Sequence, residues 1–239
     1  GSAGTSLNSA AVAQLVDVVA NLKSQSKEVI IVTSAAIAAG MAPLGLSERP
    51  TDLATQQASA SVGQGLLIAK YSAEFTRHNI VASQVLVTSD DLSRDLHKEN
   101  VKRTLIRLLE LGVVPIINEN DSVGTEEIRL GDNDRLAALV LELIGADLLV
   151  LVSDIDALYD APPTQAGANR IAKVSNFEEL SKVEIGGVGS SGVGSGGMVT
   201  KIQAAEIATS SGASMLLTDL AHLEDALSGK DVGTLFTSN

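Results

Sequence analysis

The chain contains no cysteine and no tryptophan, and only two tyrosines and three phenylalanines in 239 residues. The missing thiols exclude disulfides, thiolate metal sites and a cysteine nucleophile, and they agree with a reducing compartment. Aromatics at 2% leave little material for a base-stacking platform or an aromatic sugar cleft. Cations are scarce too: 17 Lys+Arg stand against 29 Asp+Glu, a formal net charge of −12. Such a chain is a poor general binder of nucleic-acid phosphates, although a few lysines and main-chain N–H groups can hold one small anion. No apolar run approaches the roughly 20 residues that cross a bilayer. No basic segment followed by an apolar one opens the chain. The expectation is a soluble, cytoplasmic protein that binds neither nucleic acid nor membrane. The three histidines, His78, His97 and His222, are scattered in polar context, and neither HExxH nor GxSxG occurs. Zinc-hydrolase and serine-hydrolase chemistry therefore lose their main support.

What is present is core material. Hydrophobic residues make up 45% of the chain, enough for one large domain. Short apolar runs recur at Val29–Val32, Val81–Val87, Val113–Ile117, Leu148–Val152 and Met215–Leu217. Each reads as a strand buried on both faces of a parallel sheet. Helical patterns alternate with them over Ala11–Leu22 (N-cap Asn8 or Ser9), Thr51–Arg77, Lys98–Leu111, Leu136–Ile144 and Val199–Ser210. Gly112, Gly145 and Gly212 stop the last three. This alternation predicts a three-layer α/β/α sandwich with a mainly parallel sheet and right-handed crossovers. Ligands of such sheets bind where loops leave the carboxyl ends of strands.

Five segments carry candidate chemistry, each with a plainer alternative. Gly194-Ser195-Gly196-Gly197-Met198-Val199-Thr200-Lys201 runs from a Gly-rich loop into a helix, an anion-binding arrangement with Lys201 in the first turn. The alternative is a linker. Gly131-Asp132-Asn133-Asp134 precedes a helix, where capping is the commonest role, and on this segment alone the cap prevails. Asn118-Glu119-Asn120-Asp121 follows a strand and is either a ligand edge or a solvated turn. Thr33-Ser34-Ala35-Ala36 is either an anion contact through Ser34 or an ordinary turn with a Ser cap. Ser153-Asp154 ends a strand and suits a nucleotide contact or a plain turn.

Taken together these segments resemble the amino-acid kinase family. The matching residues are Val32-Thr33-Ser34 with Ala36–Gly40, Ser61-Val62-Gly63-Gln64, Pro115–Asp121, Gly131–Asp134, Gly194–Lys201 and Val232–Phe236, so the likeness covers the chain from about Leu7. The resemblance implies ATP-dependent phosphorylation of the γ-carboxylate of L-glutamate, the first step of proline synthesis, with Mg²⁺ on the phosphates and a homo-oligomer as the working form. It implies that Ser34, Asp121 and Asn133 bind glutamate. Ser153, Asp154 and the run Ser195, Gly196, Gly197, Met198, Val199, Thr200 and Lys201 would bind ATP. Lys201 would neutralise the transferring phosphoryl group, and Asp134 would orient catalytic lysine. The residues depart from the family in three places. The family's opening strand and phosphate-contacting lysine are expected to be missing, since Gly4-Thr5-Ser6 stands too close to the first helix. The family's Thr-Ser-Gly-Ala reads Thr33-Ser34-Ala35-Ala36. The small RNA-binding-type domain that many members carry after this point is expected to be missing beyond Phe236. These departures keep three other readings open: a catalytically impaired module of the same fold, a sister kinase for another small acid, and a structural α/β domain whose long helix forms a dimer face.

Overall fold

A computed structural model describes residues 8–123, 133–161, 165, 167–180 and 197–238. The chain divides into two compact units, Gly1–Asn133 and Asp134–Asn239.

The first unit runs α1 (Ser9–Ser24), β1 (Ile31–Val32), α2 (Ala36–Met41), α3 (Leu53–Thr76), β2 (Ala82–Val87), α4 (Ser89–Ser93), α5 (Asp95–Glu110) and β3 (Val114–Glu119). Asn8 caps α1 by accepting from the Ala11 N–H at 3.1 Å, and Asp52 caps α3 through the Thr55 N–H at 2.8 Å. The three strands form a parallel sheet in the order β1-β3-β2. β3 is central and buried along its whole length. Its partner β2 is an edge strand, half-buried for most of its length, and the Val81 before it is 66% exposed. The expectation of burial on both faces thus fails for β2, because an edge strand lacks a neighbour on one side. The core gathers Val16, Ile31, Leu67, Phe75, Val114 and Ile116 from both helices and strands.

The second unit runs α6 (Asn133–Ile144), β4 (Leu148–Ser153), β5 (Leu158–Tyr159), β6 (Arg170–Ile171), β7 (Lys173–Val174), α7 (Phe177–Leu180), α8 (Gly197–Ser210), β8 (Ser214–Asp219), α9 (Leu223–Leu227) and β9 (Thr234–Phe236). Its sheet order is β4-β8-β9-β7; β4 pairs β8 in parallel and β8 pairs β9 antiparallel. Among the described residues β4 is likewise at the edge of its sheet, and Leu148 and Val152 are each 42% exposed, which corrects the expectation of two buried faces there. Ala204, Ala205 and Ala208 of α8 are fully buried against Leu151, Met215 and Leu217. Small side chains let the helix lie close to the sheet. Gly112, Gly145 and Gly212 end α5, α6 and α8 with φ of 77°, 68° and 83°, the left-handed stop expected of them.

The candidate site at the strand ends

In the first unit two neighbouring strands end side by side. The ladder between β1 and β3 closes with the Thr33 N–H donating to the Ile117 carbonyl at 2.9 Å. Beyond it the chain turns sharply at Ala35, φ 80°, ψ 9°, and enters α2. Ser34 sits exposed on this turn. It does not cap α2, whose N-cap position is held by Ala35 with no side-chain cap bond, so the Ser-cap alternative is excluded. The turn is braced from behind, where the Thr33 and Tyr71 hydroxyls lie 3.4 Å apart. Burial pushes the Tyr71 phenol above its ordinary value.

β3 continues through Asn118 and Glu119, which are only 3% and 8% exposed. The solvated-turn alternative therefore fails for this pair; the turn starts at Asn120, whose N–H donates to Val87 O at 2.8 Å. Asp121 lies on that turn, half-buried. Asn118 Oδ1 accepts from the Glu119 N–H at 2.9 Å, while its Nδ2 is buried with no partner among the described residues. The sequence leaves this run either a ligand edge or a solvated turn and does not single out Asn118. An amide inside an otherwise apolar strand was the available signal. The Asn133 side-chain oxygen is likewise buried without a partner among the described residues.

In the second unit Asp134 stands in the first turn of α6. Lys201 Nζ, from α8, donates to Asp134 Oδ2 at 2.9 Å, with the two side chains 13% and 22% exposed. The Thr200 hydroxyl lies 3.3 Å from the same oxygen and 3.0 Å from the Gly197 carbonyl. A carboxylate thus fixes an ammonium beside the start of α8, where Gly197, Met198 and Val199 form the first turn. Helix N–H groups there have no intrahelical acceptors and favour an anion. Ser153 closes β4 and Asp154 follows it, the Ser153 hydroxyl donating to Asp154 Oδ1 at 3.1 Å. Ser195, Gly196 and the segment Gly131-Asp132 lie outside the described residues.

No group of three His, Asp or Glu residues suited to a metal occurs among the described residues. No described helix is long and apolar enough to cross a membrane. The histidines pair singly with carboxylates: His78 with Asp17, His97 with Asp91 and His222 with Asp219.

Comparison with known proteins bears on this arrangement. The chain is 57% identical over 222 residues to the glutamate 5-kinase of Streptomyces coelicolor, covering 93% of this chain and 59% of that protein. It is 59% identical over 222 residues to that of Salinispora arenicola, covering 93% and 60%. It is 53% identical over 229 residues to that of Clavibacter michiganensis subsp. michiganensis, covering 96% and 88%. The chain therefore spans about three fifths of the length of the first two relatives. Two solved structures share the fold. Isopentenyl phosphate kinase of T. acidophilum in a product complex matches with a TM-score of 0.66 at 16% identity, over 98% of this chain and 93% of that one. Carbamate kinase from Giardia lamblia bound to AMP-PNP matches with a TM-score of 0.64 at 17% identity, over 97% and 89%. The expected α/β/α sandwich with mainly parallel strands is thus the fold found. The description of the amino acid kinase family matches residues 1–219, which span both units. With these loops, this fold and these relatives, the chain belongs to the amino acid kinase family.

Proposed function

We propose that the chain transfers the γ-phosphoryl group of ATP to the γ-carboxylate of L-glutamate, giving an acyl phosphate and ADP. The observation that carries the reading is the Lys201–Asp134 pair at the start of α8; the named relatives supply the substrate.

A carboxylate nucleophile is ionised at neutral pH, so the reaction needs no general base. It needs alignment and neutralisation of charge. Lys201, held by Asp134 in one orientation, is the cation for the transferring phosphoryl group. The first-turn N–H groups of α8, from Gly197 to Thr200, cradle phosphate oxygens, and Ser153 and Asp154 face the nucleotide. Ser34, Asp121 and Asn133 hold glutamate; the buried acceptor oxygen of Asn133 suits an ammonium, and the orphan amide of Asn118 suits a carboxylate. Mg²⁺ would screen the phosphate charges, and a hard cation of this kind takes phosphate and carboxylate oxygens as ligands. The reaction belongs in the cytoplasm. Self-association fits the outer face of α3, where Val62 and Leu66 are 37% and 43% exposed.

The test is ADP release by the purified chain with ATP, Mg²⁺ and a panel of small acids. Glutamate-dependent release supports the reading. Turnover of another acid alone moves the chain to a sister activity, and nucleotide binding without turnover makes it an impaired kinase.

A further inference from the structure

We propose that Gln64 is a positioning residue that sets the separation of the Ser34 turn from the Asp121 turn, and that Gln84 fixes the orientation of its amide. The inference rests on the glutamate reading above.

The ladder between β1 and β3 lacks a rung at its end. The ladder between β1 and β3 pairs Val32 with Ile117 and ends with the Thr33 N–H on the Ile117 carbonyl. In a parallel ladder the next bond in the same direction runs two residues further on each strand, from the Ala35 N–H to the Glu119 carbonyl. Ala35 does not supply it, because the chain turns there at φ 80°. Gln64 of α3 takes its place: its Nε2 donates to the Glu119 carbonyl at 3.2 Å. Gln64 is 6% exposed and Glu119 8%. A buried carbonyl is costly to leave unpaired, so the side chain completes the sheet where the backbone leaves it.

The other end of the amide is also held. Gln84 of β2 donates through its Nε2 to Gln64 Oε1 at 3.0 Å, with the Gln64 carbonyl at 3.3 Å. A donor at Oε1 turns the NH₂ half of Gln64 toward Glu119. The preceding residue, Gly63, packs against the first turn of α2; a Cβ there would stand 1.7 Å from the Ala36 carbonyl. One turn of α3 therefore references both the start of α2, next to Ser34, and the end of β3, two residues before Asp121. Ser61-Val62-Gly63-Gln64, a segment shared with the family but without a chemical role above, acquires one.

The test compares wild type with Q64L, Q64E, Q84L and Q64L/Q84L, each checked by thermal melting, with glutamate and ATP varied separately. Q64L raises the glutamate KM about tenfold and leaves the ATP KM within about twofold. In Q64E the excess KM shrinks as pH falls from about 8 to about 6, because a buried carboxyl that takes up a proton regains a donor for Glu119. Q84L loses less, and the double variant is no worse than Q64L. A folded Q64L with an unchanged glutamate KM, or with equal losses for both substrates, overturns the proposal. If wild type does not turn over glutamate, the functional reading fails, and amide exchange at Asp121–Val123 decides the positioning role. Faster exchange in Q64L or, should Q64L not fold, in Q84L supports it, and unchanged exchange overturns it.

Discussion

Ala35 holds a left-handed backbone that its Cβ disfavours. A non-glycine residue in that region costs about 1–2 kcal/mol, partly offset by the greater unfolded-state entropy of glycine. A35G is therefore expected to stabilise the chain by about 1 kcal/mol in chemical denaturation. A loss of stability would mean that the turn is not left-handed in solution. Lys201 is the other single residue on which much depends. Replacing it with methionine keeps the bulk of the side chain and removes the charge beside the start of α8. The expected result is a fall in kcat of about 10³-fold, read by ADP release. Tyr71 gives a pH signature. Its folded-state pKa is raised, chiefly by burial, so the unfolded chain releases this proton first as pH rises. The stabilisation is complete below about pH 10 and is lost above it. Y71F is expected to flatten the fall in stability above about pH 10, measured by urea unfolding, and Tyr159, raised by burial and by Asp156, accounts for part of the remaining slope.

Among the described elements, α2 and α3 approach each other backbone to backbone. A Cβ on Gly40 would meet the Ser59 carbonyl at 1.9 Å, and one on Gly63 would meet the Ala36 carbonyl at 1.7 Å, so backbone lies directly on backbone. Gly65, one half-turn further along α3, has nothing within 4 Å of the same position. The two glycines of one helix should thus respond in opposite directions. G63A is expected to destabilise by about 3 kcal/mol and to raise the glutamate KM, since α2 must shift and carries the Ser34 turn with it. G65A is expected to stabilise by about 0.5–1 kcal/mol through helix propensity alone. Equal effects in thermal melts would contradict the contact. The same contrast marks what could be read in advance. The glycine stops of α5, α6 and α8 were legible because a C-cap is a local, one-residue demand. The role of Gly63 was not, because it depends on a helix that begins 27 residues earlier in the chain.

On the scale of the whole molecule, a chain of net charge −12 is proposed to bind two anionic substrates. Binding must then come from local groups, and it should appear as linkage. At about 100 times its dissociation constant, ATP is expected to stabilise the folded chain by about 2.7 kcal/mol, seen as a higher Tm. In the K201M variant the shift at the same ATP concentration should be clearly smaller. An undiminished shift would remove Lys201 from the nucleotide site. The alternation of helix and strand, and with it the fold, was legible from periodicity over most of the chain. The strand limits were less so. β3 runs to Glu119, two residues past the apolar stretch, because burial against neighbours lets Asn118 and Glu119 stay in the sheet.

The sequence by itself determined the parallel α/β architecture, the helix ends and the positions of the polar loops, since these follow from periodicity, caps and glycine, all of them local. Tertiary structure decided which polar residues meet. Asp134 and Lys201 are 67 residues apart and become partners only when α6 and α8 are brought together. Gln64 and Glu119 are 55 apart and bond only because β1 turns away at Ala35. A hydrogen bond acts over about 3 Å, and nothing in the order of the residues encodes that distance until the two cores have formed around it.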